Sequence, residues 1–417
     1  MKIRTLAGAL ALASSVTLGG CGFLPGSGAG DRTVTVWLMK GSVSPDFLDR
    51  FTRSYEEEHP FVELEFVIQD WGGIGPKVMK ALEGDDAPDV IEVGNTQVAR
   101  YADSGKLRDL TLEAMRDLGG EDWLPGLAEP GSINGGQYGI PWYAANRVVI
   151  YNKDLFAQAG ITTPPTTRKE WVEITEKLNG PDQQGIYLAG QNWYVLAGFI
   201  WDEGGELAED SGGDFQGALD SPAALKGMDF YKQLQALGGG PTDADEQTPP
   251  ETDVFARGDV AQIIAVPGST ALIEQANPDL EGKLGYFPIP GKSADKPGAV
   301  FTGGSDLIVP EGADQRGEGI EVVKELAGEK WQTELARAMS YVPNKPALAR
   351  AVEGQEGTAA MAVGAAEGRA TPNSPHWAAV EADNPIKPYM TAVLQGGDPA
   401  EEAKRASERI TAKLITG

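Results

Sequence analysis

Large aromatic side chains recur near the ends of the predicted strands in this chain of 417 residues. They are Trp37, Trp71, Trp142, Tyr143, Trp193, Tyr194 and Trp201. Amide and guanidinium side chains stand beside them at Asn146, Arg147, Gln191 and Asn192. A flat ring stacks on the apolar face of a ligand, whereas amides and guanidinium groups make paired hydrogen bonds to its polar groups. Because ligands of open α/β sheets bind beyond the carboxyl ends of strands, the pattern indicates reversible binding in a cleft.

Residues for covalent or metal chemistry are scarce. The chain has one cysteine, Cys21, and two histidines, His59 and His376. A disulfide within the chain is therefore excluded. Very few residues are available as zinc ligands or for a catalytic pair with histidine. We expect no metal and no cofactor. A hydrolase that uses two carboxylates stays open as an alternative, since 61 acidic residues can always supply such a pair.

The charge balance limits the partners. Lys and Arg number 35 against 61 Asp and Glu, so the formal net charge is −26. A surface of this sign repels polyanions, and we expect no nucleic-acid partner. A polyamine ligand is compatible with this charge and with the aromatic residues, and it stays open as a second alternative.

The N-terminal segment differs in character from the rest. A short positive start precedes an apolar stretch over residues 6–18 that is too short to span a bilayer. The stretch ends in Leu18-Gly19-Gly20-Cys21, which resembles the lipobox of bacterial lipoproteins. This resemblance predicts a signal peptide over 1–20, a lipidated Cys21 and a flexible tether over 21–31. It places the folded body at the extracytoplasmic face of the cell membrane, held by a lipid anchor.

The predicted elements alternate between strands and helices. Thr33 to Leu38, Val62 to Ile68 and Asp89 to Val93 are predicted strands, with amphipathic helices between them. Thr167 and Glu170 match a capping box, which predicts a helix start. The β-α-β-α-β order predicts an α/β fold with a parallel sheet covered by helices. Further strands are predicted at 147–151, 260–266, 285–288 and 306–309.

Short motifs along nearly the whole chain carry a resemblance to a known family. They include Ala87-Pro88-Asp89-Val90, Gly139-Ile140-Pro141, Tyr151-Asn152-Lys153-Asp154, Phe255-Ala256-Arg257-Gly258, Gly303-Gly304-Ser305 and Val342-Pro343-Asn344-Lys345. Their order and spacing resemble the extracellular sugar-binding proteins of bacterial ABC importers, the maltodextrin-binding type of family 1 solute-binding protein. A second set is similar to the chitobiose-binding lipoproteins of Gram-positive chitooligosaccharide importers. That set includes Gln69-Asp70-Trp71-Gly72-Gly73-Ile74, Glu92-Val93-Gly94-Asn95-Thr96-Gln97, Gly190-Gln191-Asn192-Trp193-Tyr194 and His376-Trp377-Ala378-Ala379-Val380-Glu381.

The resemblance implies a type II periplasmic-binding-protein-like fold, in which two α/β lobes, each discontinuous in sequence, enclose a ligand cleft. We expect an N-terminal lobe from 32–142 plus 288–326 and a C-terminal lobe from 143–287 plus 327–417. The lobes of such a receptor close on the ligand, and the closed form is presented to the permease subunits of an ABC importer. The protein is then expected to be a monomeric receptor and not an enzyme.

The resemblance also implies a ligand and the residues that bind it. The expected ligand is N,N'-diacetylchitobiose or a related chitooligosaccharide, with cellobiose or maltose as alternatives. Further candidates of lower rank are Asp70, Glu92 and Lys40. For every candidate a structural role is the alternative, because large aromatics pack in cores, Asn and Asp cap helices, and arginine pairs with carboxylates. The expected ligand-binding residues are Trp71, Asn95, Trp142, Tyr143, Asn146, Arg147, Gln191, Asn192, Trp193, Tyr194, Ser305 and Asp306.

One segment departs from the family pattern. Members of the family commonly carry a Gly-Trp pair after the strand that follows Phe-x-x-Gly, whereas this chain has Val266-Pro267-Gly268-Ser269. In those receptors the tryptophan stacks on a sugar ring from the C-terminal lobe. One subsite of the cleft therefore lacks its expected platform.

Overall fold

The structure, a computed structural model, describes residues 32–84, 86–212 and 214–416. The predicted signal peptide, the lipidation of Cys21 and the tether lie outside these residues. Within the described ranges, no helix is both long and apolar enough to cross a membrane.

The strands of the described residues are short and form two main sheets and two small hairpins. They are β1 Arg32–Met39, β2 Val62–Gln69, β3 Val90–Gly94, β4 Ser132–Ile133, β5 Gly136–Gln137, β6 Ile140–Asn146, β7 Val148–Asn152, β8 Ala208–Asp210, β9 Phe215–Gly217, β10 Gln262–Ala265, β11 Leu284–Phe287, β12 Val300–Ile308, β13 Val342–Pro343 and β14 Gly368–Arg369.

Helices cover the sheets, as predicted, and make up most of the last hundred residues. They are α1 Pro45–Glu58, α2 Ile74–Glu83, α3 Val98–Asp103, α4 Thr111–Arg116, α5 Pro125–Gly131, α6 Lys153–Gln158, α7 Arg168–Leu178, α8 Trp193–Asp202, α9 Pro222–Gln235, α10 Glu251–Phe255, α11 Ser269–Ala276, α12 Arg316–Leu326, α13 Glu329–Met339, α14 Glu356–Ala365, α15 Trp377–Ala382, α16 Ile386–Leu394 and α17 Pro399–Thr416. Short 3₁₀ turns occur at Asn95–Gln97, Gly120–Asp122, Pro278–Leu280 and Pro346–Val352.

The larger sheet has the strand order β13-β6-β12-β3-β1-β2, with β14 beside β12. β1 runs parallel to β2 and to β3, as the alternating order predicts. β12 runs antiparallel to β3 and β6, so the sheet is mixed and not wholly parallel. β12 also begins at Val300, before the predicted strand at 306–309, because glycines at 303 and 304 interrupt the apolar pattern from which that strand was predicted.

Gly304 allows β12 to approach β6 closely. A Cβ at this position would lie 2.1 Å from the backbone oxygen of Tyr143 on β6. Any other residue would therefore push the two strands apart. The Gly303-Gly304 pair serves the pairing of the sheet at this point.

The smaller sheet has the order β10-β7-β11, with both neighbours antiparallel to β7. A single residue, Arg147, separates β6 in the larger sheet from β7 in the smaller one. α8 and α9 pack against this sheet through apolar side chains that include Phe199 and Tyr231. We call the part built on the larger sheet the N-terminal lobe and the part built on the smaller sheet the C-terminal lobe.

Two segments lie on the other side of the expected lobe boundaries. β6 continues in the larger sheet to Asn146, beyond the expected boundary at 142. α13 was expected in the C-terminal lobe, but its Trp331 packs edge-on against Phe47 and Phe51 of α1, with ring centroids 5.6 and 4.9 Å apart. The connection between α12 and α13 is too short to carry the chain to the other lobe, so the two helices stay neighbours. The remaining boundaries stay predictions.

Candidate functional site

The carboxyl ends of β1, β2 and β3 lie at one edge of the larger sheet because the three strands are parallel. Trp71, just after β2, is 44% exposed and lies across Gly94 at the end of β3. A Cβ at Gly94 would lie 3.8 Å from the Trp71 ring, an ordinary van der Waals contact, so the indole passes beside the end of β3. Beside it, Lys40 Nζ lies 3.8 Å from Asp70 Oδ1, and both side chains are exposed. This edge therefore presents an accessible aromatic ring next to a cation and a carboxylate.

A carboxylate from the C-terminal lobe contacts the same edge. Glu381 on α15 accepts hydrogen bonds from the Thr96 hydroxyl at 3.2 Å and from Gln97 Nε2 at 3.3 Å, both after β3. Its other oxygen accepts from the Trp377 indole at 3.1 Å. Burial raises the pKa of Glu381, and the three donors partly offset that shift. The two lobes are thus joined across the cleft by one acid and neutral donors.

Near the crossing between the lobes, Arg147 pairs with a carboxylate of its own lobe. Its Nη2 lies 3.0 Å from Glu246 Oε1, and its guanidinium sits over the Tyr194 ring, 4.8 Å from the centroid. Tyr194 in turn stacks on Phe301, with centroids 4.5 Å apart. Arg147 therefore has the structural role named above as the alternative, an ion pair with a carboxylate, and the Tyr194 ring contacts both Arg147 and Phe301.

The start of α8 buries the other candidates of that segment. Gln191 Nε2 donates to Thr391 Oγ1 at 2.9 Å. Asn192 is fully buried, and its amide has no hydrogen-bond partner among the described residues. Trp193 packs in the core of the C-terminal lobe with its ring 4.0 Å from that of Tyr194. Trp193 thus offers no open face, contrary to what a stacking platform requires.

A buried carboxylate holds Tyr143 and Ser305. Glu92 on β3 accepts hydrogen bonds from the hydroxyls of Ser42 and Ser305 at 2.6 Å each, from Tyr143 at 3.0 Å, and from the Met39 backbone N–H at 2.7 Å. Burial raises the pKa of Glu92 despite these four donors. Tyr143 and Ser305 therefore fix the end of β1 from inside the lobe and do not face an open cleft.

Four further candidates are buried in the lobes. Trp142 is fully buried in the core of the N-terminal lobe and has no exposed face for a ligand. Asn95 donates to the Thr302 backbone oxygen at 2.9 Å and accepts from the Thr96 N–H at 3.0 Å, so it serves as a turn cap. Asn146 is almost fully buried; its side-chain nitrogen donates a long hydrogen bond of 3.4 Å to the Arg147 carbonyl, and its Oδ1 has no partner among the described residues. These three predictions of ligand contact disagree with the burial.

Asp306, the fourth, is buried completely on β12. Neither carboxylate oxygen has a hydrogen-bond partner among the described residues, and burial raises the pKa of this group well above its ordinary value. A Cβ at Gly139 would lie 2.8 Å from its Oδ2, so the surrounding backbone packs tightly around the carboxyl group. Asp306 is closed off from the cleft.

The structure thus leaves Trp71, with its neighbours Lys40 and Asp70, as the accessible part of the predicted set. Residues that sequence reasoning did not nominate form the contact between the lobes described above: Thr96, Gln97 and Glu381. The spacing of Trp377 and Glu381, one helical turn apart on α15, is the sequence signal that could have indicated Glu381.

Comparison with known proteins identifies the class. Residues 40–333 match the family model of bacterial extracellular solute-binding proteins, and the chain belongs to that family. It is therefore a solute-binding protein and not an enzyme. Among its relatives is the diacetylchitobiose binding protein DasA of Streptomyces coelicolor, which is 40% identical over 93% of this chain and 91% of its own length.

Solved structures agree with the two-lobed fold. The sugar-binding protein MalE of Xanthomonas citri superposes with a TM-score of 0.82 at 20% identity, covering 92% of this chain and 97% of that one. The GacH receptor of Streptomyces glaucescens gives a TM-score of 0.75 at 24% identity, covering 93% and 99%. At these identities the likeness establishes the fold.

Proposed function

We propose that this protein captures N,N'-diacetylchitobiose, or a related chitooligosaccharide, between its lobes and delivers it to the permease of an ABC importer. The observation that carries this proposal is the 40% identity, over 93% of the chain, to a protein named for binding diacetylchitobiose. The accessible indole of Trp71 beside Lys40 and Asp70 supports it, because a pyranose ring needs a flat stacking face and hydrogen-bonding groups at its edge.

The mechanism of capture is a shift in population. Sugar enters the open cleft, contacts with both lobes favour the closed arrangement, and the extra affinity for that arrangement drives closure. The contacts of Thr96 and Gln97 with Glu381 join the lobes on the same side as Trp71, so they form a natural part of the closed state. ATP hydrolysis belongs to other subunits of the importer.

The N-terminal segment and the family support the proposed location. The family is extracellular, and the lipobox-like Leu18-Gly19-Gly20-Cys21 supports anchoring by lipid on Cys21 at the outer face of the cell membrane. The protein works as a monomer that meets the permease by diffusion along this surface.

A titration with a matched pair of variants tests the ligand and the site together. Binding of chitobiose, cellobiose, maltose and spermidine to the purified chain is measured by calorimetry. We expect micromolar binding of chitobiose and a loss of at least about tenfold in affinity for Trp71→Ala, which removes the stacking face.

Phe61→Ala is the matched control. Phe61 is also an exposed aromatic residue, but it lies at the opposite end of β2 from Trp71. It should bind chitobiose like the wild type. Binding of another disaccharide alone would replace chitobiose as the cargo, and a response only to spermidine would overturn the sugar-binding proposal.

A further inference from the structure

Three asparagines of the chain are followed directly by a small residue. Asn134 and Asn179 each precede a glycine, and Asn373 precedes a serine. Such pairs favour deamidation, because a small residue hinders least the attack of its own backbone nitrogen on the carboxamide of the asparagine before it. Asn134 and Asn179 are both exposed, so exposure does not separate them. Their hydrogen bonds do.

The carboxamide of Asn179 is held at both ends. Its Nδ2 donates to the Leu237 backbone oxygen at 2.9 Å, and its Oδ1 accepts from the Gly185 N–H at 2.8 Å. The N–H of Gly180, whose nitrogen would have to attack this side chain, donates to the Gln183 backbone oxygen at 2.9 Å. Deamidation at Asn179 therefore requires these hydrogen bonds to break first.

Asn373 is held as well, whereas Asn134 is not. The Asn373 Nδ2 donates to the backbone oxygens of Glu129 at 2.8 Å and of Ser132 at 2.9 Å. Among the described residues, neither the Asn134 carboxamide nor the Gly135 N–H has a hydrogen-bond partner. Nothing lies within 4 Å of a Cβ built on Gly135. At Asn134 both the attacking nitrogen and the carbon that it attacks are therefore free.

Asn134 and Gly135 form the two-residue turn between β4 and β5. Their φ angles are +52° and +83°, the left-handed pair that such a tight turn requires. A residue other than glycine adopts this conformation at a cost, and each strand of the hairpin has only two residues. The tip of the hairpin therefore opens locally at a small cost in free energy, which lets the chain reach the geometry of ring closure.

We propose that the fold selects Asn134 as the residue at which the chain deamidates first. The Gly135 nitrogen attacks Cγ of Asn134 and forms an N–Cγ bond. The Cγ–Nδ2 bond breaks, and ammonia leaves with the proton of the Gly135 N–H. Water then opens the resulting succinimide ring at one of its two carbonyl carbons and yields aspartate or isoaspartate. The reaction needs only the chain and water.

The product differs from the native chain only at the tip of the hairpin. Either acid adds a negative charge, and isoaspartate also adds a carbon atom to the main chain of the turn. The base of the hairpin stays held, because the Leu110 N–H donates to the Gln137 oxygen at 2.7 Å and Asn373 donates to Ser132. We therefore expect the modified protein to stay folded and to accumulate as a more acidic form. Neither the site nor its chemistry depends on the ligand of the protein.

Ageing of the purified chain at mildly alkaline pH tests the site, with peptide mass spectrometry to locate each deamidated residue. In the folded protein Asn134 should convert at least about tenfold faster than Asn179 and Asn373, because each of those two must first break at least two hydrogen bonds. In concentrated urea, where these bonds are absent, the two Asn-Gly pairs should convert at rates within about threefold of each other.

Asn134→Gly is the matched variant, because a Gly-Gly pair keeps the left-handed turn and removes the carboxamide. Ion-exchange chromatography should show no early acidic form of this variant, whereas Asn179→Gln should produce that form like the wild type. The proposal is overturned if folded wild-type protein converts Asn179 or Asn373 as fast as Asn134. It is also overturned if the difference between the two Asn-Gly pairs persists in urea, since the fold then does not select the site.

Discussion

Asp306 is a buried carboxyl group whose ionisation inside the N-terminal lobe is unfavourable. Burial raises the pKa of this carboxyl group well above its ordinary value, and its oxygens have no hydrogen-bond partner among the described residues. An unfolded chain exposes the group and ionises it at neutral pH. A raised pKa in the folded state gives stability that is present at acid pH and is lost as the pH rises through the folded pKa.

We therefore expect Asp306→Asn to raise the free energy of unfolding at pH 7.5 by about 1 to 3 kcal/mol, because the neutral amide removes the cost of a buried charge. At pH 4 the gain should be smaller, since the wild-type group is then protonated at little cost. Urea unfolding at the two pH values measures both effects. Asp229→Asn, at an exposed site on α9, is the control and should change neither. If Asp306→Asn lowers the free energy of unfolding at pH 7.5, or raises it equally at pH 7.5 and pH 4, this account is wrong.

Trp71 and Trp142 show why residue type alone could not separate ligand contacts from core. Both were predicted to contact ligand because each is an aromatic residue near polar ones in the sequence. In the structure, however, Trp71 is accessible and Trp142 is fully buried. β6 is covered on both faces, so almost every one of its residues is buried and no alternation distinguishes an inward from an outward side chain. Burial of that kind depends on elements far away in sequence.

Elements set by local chemistry were predictable. The capping box at Thr167 and Glu170 opens α7 as expected, because both reciprocal hydrogen bonds form within four residues. The parallel pairing of the first three strands also follows from the chain's order. The contact of α15 with the turn after β3 was not predictable, since Glu381 and Thr96 are 285 residues apart and meet only when the lobes are assembled.

That contact of α15 leads to a prediction for Glu381. Glu381→Ala removes the acceptor of both hydrogen bonds from Thr96 and Gln97, and the closed arrangement loses stability relative to the open one. We expect affinity for the captured sugar to fall by about tenfold and the radius of gyration of the free chain to rise in small-angle scattering. Glu408→Ala, at an exposed site on α17, should leave both unchanged. If Glu381→Ala has the sugar affinity and the radius of gyration of the wild type, then the contact of α15 does not stabilise the closed arrangement.

At the scale of the whole molecule, the two-lobed fold could be predicted from the sequence, whereas some of the boundaries between the lobes could not. The motifs lie in loops and strand ends that a receptor of this family shares, so their order indicated the architecture. The position of α13 follows instead from the edge-on packing of Trp331 against Phe47 and Phe51, which no local sequence pattern predicts. A boundary inferred from motif spacing therefore shifts when a short connection keeps two helices on the same lobe.

The net charge of −26 makes self-repulsion a property of the whole chain. Like charges in excess destabilise a compact state, and salt screens them: the Debye length falls from about 30 Å at 10 mM to about 10 Å at 100 mM ionic strength. We expect the melting temperature at pH 7.5 to rise by about 2 °C over this range of sodium chloride. At about pH 4.5, near the ordinary pKa of carboxyl groups, the charge is smaller and the rise should shrink. A melting temperature that falls with salt at pH 7.5 would mean that the ion pairs, such as Arg147 with Glu246, contribute more than the net charge costs.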